Sequence, residues 1–264
     1  VWFHLSQHNS PLPTWASLPQ GFYGVDIFLA IMGYLFFCGL YKNPAISLSL
    51  FISKKVGRLY IPFSFVTIVT CILSLFCLDS SELYSMGKTG VCALLGVANL
   101  QLKNSESDYF SIGTAMNPFF HSWFISIALQ LFLICFICIK LSKNRFIYLA
   151  GIGIISFLCD MADPLRTVLL HLGINCPWPW GLFSYYDVIP RIWEFVAGGI
   201  VIFLPQIQSK RLATLISSGA LLMILFPVFS KDSSSTCVIF VLAGTILLIR
   251  YAHYSFLNTI LSLK

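Results

Sequence analysis

Apolar residues in this chain come in long unbroken runs rather than in the alternation of a half-buried strand or the single stripe of a water-facing helix. A bilayer crossing needs about 20 apolar residues. Runs of that order fall at 21–41, 59–78, 119–139, 146–159, 190–206, 212–229 and 236–250. The 146–159 run is short and needs its flanks to complete a span. A weaker run at 88–101 predicts a short helix, re-entrant or interfacial. No internal repeat and no low-complexity tract interrupts this series.

Composition agrees with the pattern. The chain is 58% hydrophobic and 10% charged, whereas a soluble domain carries about 25% charged residues. Such a sequence cannot cover a water-facing surface. The expectation is an all-α, polytopic transmembrane helix bundle, a single domain over 1–264 with no soluble domain. Truncation at both ends is also expected. Val1-Trp2-Phe3-His4-Leu5 reads as the end of a first span already under way, and the apolar stretch from Ser255 stops at Lys264.

The net charge of +6 does not imply nucleic acid, because the basic residues lie between apolar runs instead of in one patch. Lys42, Lys54, Lys55 and Arg58 separate the first two runs; Lys140, Lys143 and Arg145, then Lys210 and Arg211, then Arg250 mark later ones. None of these stretches holds Asp or Glu. Asp79, Glu82, Glu106, Asp108, Asp160, Asp163, Asp187 and Asp232 fall in the alternate set. Strict alternation of spans reproduces this division if 88–101 does not cross, and the basic stretches are then cytoplasmic. Asp26 accordingly lies near the outer end of its span. His121 and Trp123 open a span from outside, and Arg191 and Glu194 stand near the outer end of another. Ionisable groups at such depths cost several kcal/mol (about 2.5–3.5 on insertion scales), so they are kept there only where they have a task. A basic inner mouth and a mixed outer pocket are the two candidate sites.

The nine cysteines are scattered, mostly within apolar runs, where free Cys behaves as a small hydrophobe. Cys135 and Cys138 have the CxxC spacing but no second pair and no nearby His, so no metal site is expected.

Five fragments in order carry a family resemblance. Val1-Trp2-Phe3-His4 is similar to a His ending a first span. Phe22-Tyr23-Gly24-Val25-Asp26-Ile27-Phe28 with Met32-Gly33-Tyr34-Leu35 resembles GVDxFF…SGFL. Lys55-Val56-Gly57-Arg58-Leu59-Tyr60-Ile61-Pro62 resembles RxxRxxP. Asp108-Tyr109-Phe110, Asn117-Pro118 and His121-Ser122-Trp123 resemble the approach to a WSLSxE motif. Tyr186 and Arg191-Ile192-Trp193-Glu194-Phe195 with Gly198 resemble RxWEL…G. Together they resemble the acyltransferase-3 family of membrane O-acyltransferases, which acetylates cell-envelope sugars. The chain departs from that pattern in two readable places. Lys55 replaces the first Arg of RxxR, and Ala128 or Leu129 stands where the family carries Glu.

The resemblance implies a set of roles. Acyl transfer from a thioester to a hydroxyl needs a base, a group to steady the oxyanion, and a grip on the anionic donor. Histidine suits the base because its pKa lies near working pH, and the resemblance nominates His4. Asp26 either orients that imidazole or is a carboxylate favoured at a helix N-terminus. Glu194 completes the catalytic set, with a part in polarising the acyl carbonyl or shaping the acceptor pocket. Arg191 and Glu194, three apart, could equally neutralise each other on one helix face. Lys55 and Arg58 would hold the phosphates of acetyl-CoA, the acyl donor, or simply mark a cytoplasmic segment. Tyr23, His121, Trp123, Arg191 and Trp193 would line the acceptor site, although tryptophans also form interfacial belts.

The implied function is transfer of an acetyl group from cytoplasmic acetyl-CoA to a carbohydrate or lipid-linked glycan at a bacterial inner membrane, with no bound cofactor and no nucleic acid partner. The alternative is a catalytically impaired or transporter-like relative that binds a lipid-linked glycan, an option favoured by the Ala128/Leu129 departure.

Overall fold

The computed structural model describes residues 20–104, 117–141, 145–162, 184–230 and 235–254, with Leu169, His171 and Leu172 besides. Nine α-helices are resolved among them: α1 Gly24–Lys42, α2 Leu48–Cys77, α3 Ser80–Leu94, α4 Ala98–Asn104, α5 Ser122–Leu141, α6 Arg145–Asp160, α7 Ile192–Ile200, α8 Lys210–Phe229 and α9 Ser235–Tyr251. No strand occurs among the described residues. The all-α polytopic expectation holds. Five segments are long and apolar enough to cross a membrane: Gly21–Lys42, Gly57–Cys77, Ser122–Lys140, Lys210–Phe229 and Thr236–Tyr254.

Two parts of the sequence map need correction. The 190–206 run is not one span. It breaks into a 3₁₀ turn at Ile189–Arg191, the nine-residue α7, and a second 3₁₀ turn at Val201–Phe203. Pro190 lacks an N–H for a continuous ladder, and Pro205 halts the helix after the second turn. Nor do Lys54, Lys55 and Arg58 lie in a loop. Only residues 43–47 separate α1 from α2, and the three cations ride on the 30-residue α2. Hydrophobicity locates where a helix enters lipid, not where it begins. Here Ser47 caps the helix, its side chain accepting from the Leu50 N–H.

Local chemistry explains the other boundaries. Asp79 and Glu82 form a reciprocal capping box at the start of α3. Gly96, at φ +72°, takes the left-handed conformation that turns α3 into α4. The weak run at 88–101 is therefore a helix–turn–helix hairpin. Pro62 inside α2 has no N–H to offer the carbonyl of Arg58, one turn back.

The helices group into two compact units. The first holds α1, α7, α8, α9 and the second half of α6. Its seams are made by small residues, as expected where lipid supplies no hydrophobic drive and helices associate through close packing. A Cβ on Gly33 would overlap the carbonyl oxygen of Phe195, and one on Gly198 would overlap that of Ala30. α1 and α7 thus cross backbone to backbone. Between α8 and α9, a Cβ on Gly244 would stand 2.6 Å from the Ala220 carbonyl oxygen, with Ala213, Ser217 and Ala220 buried along α8. Arg250 Nε and Tyr251 Oη, both at the end of α9, donate to the Pro205 carbonyl at 3.3 and 3.2 Å.

The second unit holds α2 to α5, the first half of α6 and residues 184–191. The α3–α4 hairpin lies against α5. Tyr60 of α2 donates to the Leu94 carbonyl at 2.8 Å, closing the end of α3. Phe51 stacks on Phe136 of α5 with centroids 4.6 Å apart. Only 11% of the apolar stretch of α2 is buried, so this helix presents most of its circumference to its surroundings.

Candidate functional site

Two carboxylates are buried in the first unit. Asp26 is 3% exposed and Glu194 is fully enclosed. Each stands in the first turn of its helix, α1 and α7, where the helix dipole favours negative charge. The glycine crossing fixes both. It joins Ala30–Gly33 of α1 to Phe195–Gly198 of α7. Asp26 lies one turn before Ala30, and Glu194 immediately precedes Phe195. A buried ionisable group in a membrane-spanning bundle is a functional candidate by default. Tyr23, just upstream of Asp26, is also fully enclosed and packs with Cys237 and Val241 of α9.

Trp193 is held on two sides by α6. Its backbone N–H donates to Ser156 Oγ at 2.9 Å, and its indole Nε1–H to Asp160 Oδ2 at 3.1 Å. The ring of Phe157 meets the indole edge-on at 5.1 Å. Sequence reading placed Asp160 in an outer loop and passed over Ser156. Their spacing of four, together with Gly153 and Phe157, was the available signal.

In the second unit Trp123 is 2% exposed. Its ring packs against Tyr185 at 5.1 Å and Tyr186 at 5.7 Å. The Arg191 guanidinium lies over the Tyr185 ring at 4.5 Å, a cation–π arrangement. Arg191 thus ends the 3₁₀ turn Ile189–Arg191 beside an aromatic cluster. His121 is exposed, its ring 5.5 Å from that of Phe120.

Beside this cluster runs a partly buried polar network that sequence reading missed. Asn99 Nδ2 donates to Gln130 Oε1 at 3.3 Å and to the Tyr186 carbonyl at 3.1 Å. Gln130 Nε2 returns a bond to Asn99 Oδ1 at 2.8 Å and reaches the Gly96 carbonyl at 2.8 Å. Ser126 Oγ accepts from the Ala98 N–H at 3.1 Å. Lys103 Nζ grips both oxygens of Asp187, at 3.0 and 2.7 Å. Asp187 Oδ2 also accepts from the Ser184 N–H at 2.7 Å. Residues 184–187 are thereby tied to α4. Ala128, one of the two positions at which the resemblance would place Glu, is buried on α5 with its methyl in the core.

Lys54 and Arg58 are exposed on α2. The side chain of Lys55 and the whole of His4 lie outside the described residues. Of the sequence-nominated set, then, Tyr23, Asp26, Trp193 and Glu194 belong to the first unit. His121, Trp123, Arg191 and Arg58 belong to the second.

Comparison with known proteins supplies the remaining constraint. The acyltransferase-domain model of the acyltransferase-3 family matches residues 1–262. The chain is 24% identical over 199 residues to BcsY of Komagataeibacter xylinus, provisionally described as a membrane-bound transacylase. That match covers 74% of this chain and 48% of BcsY, so the chain spans about half the length of this relative. No solved structure matches it significantly. With a family match over nearly its whole length and five apolar helices long enough to cross a bilayer, the chain is a multi-pass membrane protein that belongs to the acyltransferase-3 family.

Proposed function

We propose that the protein is an O-acyltransferase that moves an acetyl group from cytoplasmic acetyl-CoA to a hydroxyl of a cell-envelope carbohydrate, free or lipid-linked. The observation that carries this reading is the burial of Asp26 and Glu194 in one helix unit, held by a glycine crossing. Two carboxylates enclosed among apolar helices are costly, and such groups mark reaction or transport paths.

In this reading the acceptor oxygen bonds to the thioester carbonyl carbon and the carbon–sulfur bond breaks. His4 takes the hydroxyl proton and returns it to the departing thiolate of CoA. Asp26 steadies the imidazolium, and Glu194 shapes the acceptor pocket at the start of α7. Lys55 and Arg58, at the entry of α2 into lipid, hold the donor's phosphates. The bacterial inner membrane is the setting that gives access to donor and acceptor from opposite faces.

The test is acetyl transfer in proteoliposomes holding the full-length protein, with radiolabelled acetyl-CoA and a lipid-linked glycan extract. Label should reach the glycan, and His4→Ala and Glu194→Gln should each abolish it while inserting normally. Full transfer by both variants overturns the assignment. The buried methyl of Ala128 favours one other reading, a glycan-binding relative impaired in chemistry. That reading requires glycan binding with no turnover of acetyl-CoA by the native protein.

A further inference from the structure

We propose that Asp160 is a positioning residue which, through the indole of Trp193, sets the bearing of Glu194; the functional part of this inference rests on the role given to Glu194 above. Gly153, Ser156, Phe157 and Asp160 recur on α6 at intervals of three, four and seven, which places them on one helix face. Every one of them meets α7. A Cβ on Gly153 would lie 3.4 Å from Val196 Cγ1. Ser156 Oγ takes the Trp193 backbone N–H at 2.9 Å, Phe157 packs edge-on against the Trp193 ring, and Asp160 Oδ2 takes the indole N–H at 3.1 Å.

The first N–H groups of a helix have no partner within it. Ser156 supplies one for Trp193 from a neighbouring helix, so it acts as a cap in trans at the start of α7. Asp160 then fixes the Trp193 side chain, which stops α7 from turning about its own axis. Glu194 is the next residue, about 100° round the helix, and any rotation of α7 swings its carboxylate by the same angle. Packing alone does not call for a carboxylate at position 160. An apolar side chain would fill the space beside an indole but would leave the indole N–H without this acceptor. The charged acceptor is intelligible if the orientation of Trp193, and through it of Glu194, has to be fixed.

The test compares Asp160→Ala, Asp160→Asn and Trp193→Phe in the full-length protein, with Glu194→Gln alongside. The first readout is hydrogen exchange of peptides covering Trp193–Gly199. Asp160→Ala and Trp193→Phe should both speed it, with peptides of α8 and α9 unchanged, and Asp160→Asn, which keeps an acceptor oxygen, should restore most of the protection. The second is acetyl transfer. Asp160→Ala and Trp193→Phe should each lower kcat by about ten- to a hundredfold, the scale of a small misplacement of a reacting group, with the KM for the donor unchanged. The double variant should be no worse than either single one, and Asp160→Asn should recover most of the rate.

Unchanged exchange in Asp160→Ala overturns the proposal whatever the activity. Altered exchange with full activity in Asp160→Ala, while Glu194→Gln is inactive, overturns the positioning role alone. An active Glu194→Gln overturns the role of Glu194 and with it the functional half of the inference, leaving the exchange result to decide the structural half. If Asp160→Ala does not insert, Asp160→Asn and Trp193→Phe still decide it, because the proposal requires the first to behave as native and the second to be impaired.

Discussion

Gly198→Ala is the sharpest perturbation of this architecture. The added Cβ would overlap the Ala30 carbonyl oxygen and stand 2.8 Å from the carbonyl carbon and 3.0 Å from Cα of the same residue. Ordinary carbon contacts begin near 3.4 Å, and backbone on both sides cannot swing away as a flexible side chain could. α1 and α7 must therefore separate by more than half an ångström. Phe36 and Phe195 face each other across this seam at 5.3 Å, both buried. A gap of that size forfeits about a quarter of each dispersion well across the seam, and with about half of the roughly 50 contacts of each ring crossing it, at about 0.1 kcal/mol each, the two rings lose about 1.2 kcal/mol together. That sits in the range of about 1–3 kcal/mol for overpacking. Gly33→Ala meets Phe195 in the same way and should cost a similar amount. The double variant should cost less than the sum, because the helices need to part only once. The assay is thermal unfolding of purified protein in detergent, with acetyl transfer measured in parallel. Activity should fall further than stability, since Glu194 immediately precedes Phe195. A Gly198→Ala protein with native melting temperature and native turnover refutes the crossing.

Other outcomes follow from the second unit. Asn99→Ala removes three hydrogen bonds, two exchanged with Gln130 and one to the Tyr186 carbonyl, and at about 1 kcal/mol each should cost about 3 kcal/mol in detergent unfolding. Trp123→Ala, which empties a site lined by Tyr185 and Tyr186, should cost about 3–5 kcal/mol; a loss below 1 kcal/mol would mean the ring is not enclosed. Asp187→Ala should destabilise more than Lys103→Ala, because Asp187 also accepts the Ser184 N–H while Lys103 is partly exposed. The backbone N–H of Glu82, the Ser81 hydroxyl and the Ser81 N–H hold the Asp79 carboxyl below its ordinary value. A depressed folded pKa contributes stability that is complete above the unfolded value near 3.8 and is lost as pH falls through the folded one. Hydrogen exchange at the start of α3 should therefore be faster in Asp79→Ala than in the native protein at pH 6, and the difference should shrink in acid.

The sequence disclosed the helix class and the apolar spans because the bilayer demands length and hydrophobicity in each segment separately. It disclosed less about what happens inside the 190–206 run. Hydropathy there is continuous, but Pro190 and Pro205 bracket a helix of nine residues. The breaks depend on where a backbone donor is missing, which a window average does not register. The cations of α2 show the converse limit. A charge after an apolar run reads as a loop, yet Ser47 starts the helix seven residues before Lys54.

The site divides along the same line. Asp26 and Glu194 were legible because a lone carboxylate in an apolar run is conspicuous. Asn99, Gln130 and Ser126 were not, because neutral polar residues scattered over two helices look like ordinary loop and helix positions until the turn at Gly96 brings them together. Their bonds also bear on the Glu that the resemblance would place at 128 or 129. Asn99 and Gln130 exchange amide bonds, and each spends a further donor on a backbone carbonyl. A carboxylate added by Ala128→Glu would enter a packed core on a helix whose nearby polar groups already have partners. It would cost stability without gaining a donor, so restoring the family residue alone should lower the melting temperature and raise no activity. A gain in acetyl transfer by Ala128→Glu would show instead that position 128 borders the reaction path.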